Sequence, residues 1–195
     1  MYMYLVRHGQ SVGNVRRTFH GQTDYPLTEE GRRQARQAAE KLREIPFTRC
    51  CASDLRRAWD TALACLEGRS VLPERCPDLR EHFVGDLEDT SWEEVEARRP
   101  GLKRAYIEDW FHVTPPGGES PEEMAARVGR CVDGIVARGE DTLVAAHNGS
   151  LSLVLIHLGL AGPEDVIKPG HYFEQGCYTA VEVTAAGARL LAFNR

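Results

Sequence analysis

Leu5-Val6-Arg7-His8-Gly9-Gln10-Ser11-Val12-Gly13-Asn14 is the stretch from which the chain is best read. It follows an apolar run from Met1 to Val6, which predicts a buried strand ending at the Arg-His-Gly turn. Open α/β sheets place ligands at the carboxyl ends of their strands. Arg7 supplies a permanent cationic fork for an anionic oxygen. His8 supplies an imidazole that can attack phosphorus when neutral. Gly9 lets the backbone turn sharply and approach a ligand. Ser11 and Asn14 add neutral hydrogen bonds for the same anion.

The chain beyond this stretch alternates strand and helix patterns. Val15 to Pro26 is basic and irregular. Thr28 is the expected N-cap of a helix with Glu29 and Glu30 in its first turn and the stripe Ala35, Ala38, Ala39 and Leu42. Arg49 to Ala52 reads as a short buried strand, and Ser53-Asp54 as the cap of a helix with Leu55, Ala58, Trp59, Ala62 and Leu66 on its apolar face. Ser70 to Thr90 reads as mostly irregular. Ser91-x-x-Glu94 is a capping box opening a short helix, and a second helical piece covers about Leu102 to Phe111. Ser120-Pro121-Glu122-Glu123 opens a helix with the stripe Met124, Val128, Cys131, Val132 and Ile135. Thr142 to Ala146 is an apolar strand ending at His147, followed by an apolar helix around Leu151 to Leu158. Cys177 to Val183 and Arg189 to Phe193 read as a hairpin. This order predicts an α/β fold: a three-layer α/β/α sandwich with a mostly parallel sheet and an antiparallel edge strand. A single domain over 1–195 is expected, with a small helical lid over about 83–120.

Three strand ends then carry charged or titratable groups: Arg7-His8, the turn Ser53-Asp54-Leu55-Arg56-Arg57, and His147. The blocks Arg7-His8-Gly9-x-Ser11-x-x-Asn14, Ser53-x-Leu55-x-Arg57-Ala58-x-x-Thr61-Ala62, Leu79-x-Glu81-x-x-x-Gly85 and Ala146-His147-Asn148-Gly149 together resemble the histidine phosphatase, or phosphoglycerate-mutase-like, superfamily. The block Gly21-Gln22-Thr23-Asp24-x-Pro26-Leu27-Thr28-x-x-Gly31 resembles it too. Members usually have His-Gly where this chain has His147-Asn148, and a backbone N–H for phosphate remains at that position. Among the branches, Leu66 to Arg69, Gly117 to Ser120, His147 to Ser152 and Glu174 to Cys177 look most like α-ribazole-5′-phosphate phosphatases, which act late in assembly of the lower cobalamin loop.

The resemblance implies a phosphomonoesterase working through a phosphohistidine. His8 is then the nucleophile, Glu81 the proton donor and a protonated His147 the third catalytic group. Arg7, Asn14, Arg57 and Asn148 bind phosphate, while Gln22 and Thr23 face the phosphate or the leaving group. Arg56, on another helix face, takes a solvated role, and Asp86 and Glu88 serve structure or the rim. A phosphoglycerate mutase and a broad-specificity metabolite phosphatase are the nearest alternatives; a non-catalytic phospholigand-binding module would not need both nucleophile and acid.

The bulk composition limits the partners. With 195 residues, 42% hydrophobic and 27% charged, the chain reads as globular. Its net charge of −5 speaks against a nucleic-acid or anionic-membrane partner, and the small phosphate monoester that the resemblance implies has to be attracted by a local cluster of Arg and His, not by the whole surface. Six cysteines show no metal-ligand spacing, so no metal and no other cofactor is expected, and reduced thiols fit a cytoplasmic protein. The first strand begins at Met1, which leaves no room for a signal peptide. A homodimer is possible. Phe83, Trp92, Tyr106, Trp110 and Phe111 in the lid offer aromatic surface for a planar base, with at least half of them expected to pack the lid itself.

Overall fold

The computed structural model of the chain describes residues 1–165, 168 and 170–195, apart from the side chain of Ile107. Its elements in order are β1 (Tyr2–Arg7), α1 (Val12–Arg16), β2 (Thr18–Phe19), α2 (Glu29–Leu42), β3 (Arg49–Ala52), α3 (Arg56–Leu66), β4 (Pro73–Arg75), β5 (Thr90–Ser91), α4 (Trp92–Arg98), α5 (Leu102–Asp109), α6 (Pro121–Arg138), β6 (Thr142–Ala146), α7 (Asn148–His157), β7 (Thr179–Thr184) and β8 (Gly187–Ala192). Six strands form one sheet in the order β4-β3-β6-β1-β7-β8. Strands β4, β3, β6 and β1 are parallel; β7 runs antiparallel to both β1 and β8. The expected α/β/α sandwich is therefore present, and the reversed strand is β7, one in from the edge.

Strand alternation builds two cores. On one face Met3, Leu5, Cys51, Val144 and Ala146 pack with Met124, Val128, Val132 and Ile135 of α6 and Leu151 and Val154 of α7. On the other, Val6, Cys50, Ala52, Leu143 and Ala145 meet Ala38 and Leu42 of α2 and Ala62, Cys65 and Leu66 of α3. The stripes read from sequence supply both faces. Thr28 caps α2 as expected, accepting the Gly31 N–H at 3.0 Å. Ser91 and Ser120 make their capping boxes at α4 and α6.

Three local expectations change. Val15 to Pro26, read as irregular, contains the end of α1 and β2, which pairs with β5. Ser70 to Thr90, read as mostly irregular, contains β4, which pairs with β3 through Cys50–Pro73 to Ala52–Arg75. Its three residues are too few to show a period. Ser53 does not cap α3, whose N-cap is Leu55 without a side-chain bond. Its hydroxyl meets His147 instead. All six cysteines are free thiols, and no helix among the described residues is long and apolar enough to cross a membrane.

The strand order positions the site. β6 lies between β1 and β3, so their carboxyl ends are adjacent. His8 N–H donates to Ala146 carbonyl at 3.0 Å and Ser53 N–H to Ala145 carbonyl at 2.9 Å, carrying both chains into the turn beside His147. The turn after His8 is pressed against α2. A Cβ on Gly9 would strike the Gly31 backbone, and one on Gly31 would strike the Gln10 carbonyl.

Alanine in a helix is ordinarily the more favourable residue by up to about 1 kcal/mol. Here the backbone contact reverses the sign. Gly31→Ala is expected to destabilise by about 1–3 kcal/mol in urea unfolding and to lower turnover by displacing the His8 turn; a more stable, fully active variant would show the contact to be unimportant.

Candidate active site

His8, Arg57 and His147 are buried at the junction of β1, β6 and α3, with 2%, 0% and 0% of their surface exposed. The Nδ1 of His8 lies 2.7 Å from the Gly9 carbonyl oxygen. A carbonyl only accepts, so Nδ1 carries the proton and Nε2 presents a lone pair to the cleft. The ring centroid of His147 is 5.1 Å away. His147 Nε2 lies 2.8 Å from Ser53 Oγ, and its Nδ1 has no partner. Gly9 N–H donates to Thr61 Oγ1 at 3.2 Å, and Thr61 in turn donates to the Arg57 carbonyl, tying the turn to α3.

The two arginines are only partly satisfied. Arg7 donates Nη1 to the Phe173 carbonyl at 2.9 Å, leaving its Nε without a partner. Arg57 clasps the 21–23 loop through Nη1 to Thr23 carbonyl (2.9 Å) and Nη2 to Gly21 carbonyl (2.6 Å), and its Nε is unpartnered. Buried donors without acceptors are costly, so their clustering at one cleft marks a place for an oxygen-rich anion. Asn14 commits its Oδ1 to Ser11 N–H at 2.9 Å and to Gln175, so it faces the cleft as a donor. Asn148 opens α7; its side chain accepts the Phe173 N–H at 3.0 Å, which leaves the backbone at the helix N-terminus for an anion.

Glu81 enters from the segment before the lid. Its two carboxylate oxygens accept His82 N–H at 3.0 Å and Gly149 N–H at 3.1 Å. A Cβ on Gly149 would meet this carboxylate and push it aside. The Glu81 peptide is held by Arg127 of α6, which donates to the carbonyls of Asp78 (2.8 Å), Arg80 (2.7 Å) and Glu81 (3.0 Å) and pairs with Glu119.

Burial dominates the electrostatics. It pushes His8 well below its usual 6.5, with the cations Arg57 and Arg7 adding to the effect. Burial likewise holds His147 well below 6.5, followed by Arg57 and His8. Burial thus favours the neutral ring, and the protonated His147 that the resemblance implies needs an anion beside it to offset that cost. Burial lowers Arg57 to about 10, which keeps it charged at neutral pH.

The anion cluster opens into an apolar chamber lined by Phe19, Val84, Trp92, Tyr106, Trp110 and Tyr172. Of the five lid aromatics, Trp92, Tyr106 and Trp110 line it, while Phe111 packs against the α6–α7 core and Phe83 lies outside the lining. Phe19 and Tyr172 come from outside the lid. Gln22 and Thr23 are not in the lining. Gln22 Nε2 donates to the Glu81 carbonyl at 3.2 Å, and the Thr23 hydroxyl donates to Glu88. Glu88 also takes the N–H groups of Gln22 (2.7 Å) and Thr23 (2.9 Å), the structural role expected for it. Arg56 is exposed beside Asp60. Two further residues at the site stand in no motif: His20, which follows β2 and lines the cleft, and Arg127 of α6, since a polar residue on a helix looks the same whether it meets water or a buried loop.

Residues 3–195 match the sequence profile of the histidine phosphatase superfamily (branch 1). The chain belongs to that superfamily. It is 34% identical over 197 residues to the adenosylcobalamin/α-ribazole phosphatase of Salmonella typhimurium, covering 100% of this chain and 96% of that one. A putative α-ribazole-5′-P phosphatase from Escherichia coli K-12 superposes with a TM-score of 0.90 at 29% identity, covering 100% and 96% of the two chains. A 2,3-bisphosphoglycerate-dependent phosphoglycerate mutase of Brucella anthropi is 36% identical over 178 residues, 85% of each chain. The protein is thus a histidine phosphatase-type enzyme, with the α/β fold of its relatives.

For this phosphatase the depressed histidines give a direct test. His8 and His147 gain protons only below 6.5, so both rings stay neutral as pH falls from 8 to 6.5. NMR titration of the ligand-free enzyme should place both midpoints under 6.5; a midpoint for His8 at or above that value would contradict the burial argument.

Proposed function

We propose that this histidine phosphatase hydrolyses α-ribazole-5′-phosphate, through a phosphohistidine on His8, in the cytoplasm. The reading rests on one observation: a single anion cluster adjoins a chamber walled by Phe19, Trp92, Tyr106 and Trp110. Among the described lining residues the permanent cations are Arg7 and Arg57 alone. In the lid, Arg104 pairs with Glu108 at 2.9 Å and Arg98 lies 3.9 Å from Glu94, while Lys103 sits 5.7 Å over the ring of Trp92 and is not itself in the lining. A phosphoglycerate needs a cation for its carboxylate as well as for its phosphate. A ribazole phosphate carries one phosphate and a planar apolar base, which aromatic walls accommodate.

In this reading His8 Nε2 attacks phosphorus in line with the leaving oxygen. The P–O bond breaks as the N–P bond forms, and Glu81 gives its proton to the departing alcohol. Arg7, Arg57, Asn14 and the Asn148 backbone N–H hold the equatorial oxygens. The bound dianion offsets the burial cost of charge on His147, which then donates to it. Glu81 next takes a proton from water, and that water displaces the phosphoryl group from His8. No step requires a metal, since guanidinium groups can supply the electrostatic stabilisation.

His8→Ala should lose essentially all turnover, and acid-labile, base-stable phosphate should be trapped on the wild type alone. kcat/KM should be higher for α-ribazole-5′-phosphate than for 3-phosphoglycerate. Trp92→Ala should cost about 1 kcal/mol in kcat/KM for the ribazole ester and little for a small phosphate ester. Interconversion of phosphoglycerates without ribazole phosphate hydrolysis would assign the chain to the mutases instead.

A further inference from the structure

The chemistry above makes no use of His82, the residue after the acid, although it is a histidine only 3% exposed. Its ring spans two parts of the lid. Nε2 lies 2.8 Å from the Glu119 carbonyl oxygen and so carries the ring proton. Nδ1 is then an acceptor, and the Tyr106 hydroxyl donates to it at 2.6 Å. Tyr106 stacks on the ring with centroids 5.8 Å apart and planes 12° apart, and Trp110 meets it edge-on at 5.7 Å. The backbone N–H of the same residue donates to the Glu81 carboxylate.

One residue thus touches the candidate acid through its main chain and the chamber wall through its ring. On the other side, Arg127 fixes the Glu81 carbonyl and the Glu119 carboxylate from α6. The Glu81 peptide is held between a rigid helix and a lid whose aromatics face the substrate chamber.

We infer that His82 is a positioning residue that carries the placement of the lid aromatics to the Glu81 carboxylate, so that the apolar part of a substrate seated in the chamber sets the geometry of proton donation. This rests on the reading of Glu81 as general acid. Binding energy from a group remote from phosphorus is then expressed in kcat, not only in KM. A purely structural His82 would act alike on every substrate. A positioning His82 acts most where the leaving group needs its proton.

The test compares kcat on α-ribazole-5′-phosphate, an alkyl ester, with kcat on 4-nitrophenyl phosphate, whose leaving group needs little protonation. Glu81→Gln sets the reference fall in the alkyl-to-aryl ratio. His82→Leu should lower that ratio about tenfold, in the direction of Glu81→Gln, and adding it to Glu81→Gln should lower it no further. His82→Gln keeps a donor for Glu119 and an acceptor for Tyr106, and should recover part of the loss. Tyr106→Phe deletes only the hydroxyl and should lower the ratio about threefold. If Glu81→Gln leaves the ratio unchanged, the acid assignment is lost and this inference with it. If Glu81→Gln lowers the ratio while His82→Leu and Tyr106→Phe slow both substrates equally, His82 is structural and the inference is overturned with the acid assignment intact. Should His82→Leu not fold, an unchanged ratio in Tyr106→Phe overturns it alone.

Discussion

Arg57 is a guanidinium with no exposed surface, and the rest of the site is arranged around that fact. Removing such a charge from water costs several kcal/mol unless other groups repay it. The Gly21 and Thr23 carbonyls meet two of its nitrogens, and Glu81, Glu88 and Asp24 lie near enough to favour its charge. Its Nε and that of Arg7 remain without acceptors. An entering phosphate completes this arrangement rather than creating it, which is what preorganisation means for a transition state rich in anionic oxygen. The same burial favours the neutral form of His8, so one constraint acts on both the unpartnered guanidinium nitrogens and the imidazole proposed as nucleophile.

The sheet supplies the rigidity that such a site needs. Arg7, His8 and His147 stand at the ends of adjacent parallel strands buried on both faces, and Arg57 lies in the first turn of the helix that follows the third strand. None of these can move without disturbing the core. Glu81 is different. It stands on a segment without regular structure, braced by Arg127 and by its contact with Gly149. The candidate phosphate site is therefore built into the sheet, and the proposed acid is attached to the part of the molecule that also forms the aromatic chamber.

That division accounts for what differs among relatives of one fold. A mutase and a phosphatase can share the sheet-borne cluster, because phosphohistidine chemistry asks the same of both. On the proposal above, substrate choice falls to the chamber, where Phe19, Trp92, Tyr106 and Trp110 form apolar walls beside Arg7 and Arg57, the permanent cations among the described lining residues.

The sequence by itself determined the layers, the strand ends and the residues of the anion cluster. Apolar runs and helix stripes are local patterns, and an Arg-His-Gly turn after a buried strand is read within a few residues. The edge strand β4, the diversion of Ser53 from a helix cap to His147, and the engagement of Gln22 and Thr23 with Glu81 and Glu88 were decided only in three dimensions. So were the burial that lowers the proton affinity of His147 and the bracing of Glu81 by Arg127 and His82. Each of these depends on which groups from distant parts of the chain share a desolvated space. Desolvation and hydrogen-bond partnership act through space, and no periodicity along the chain encodes them.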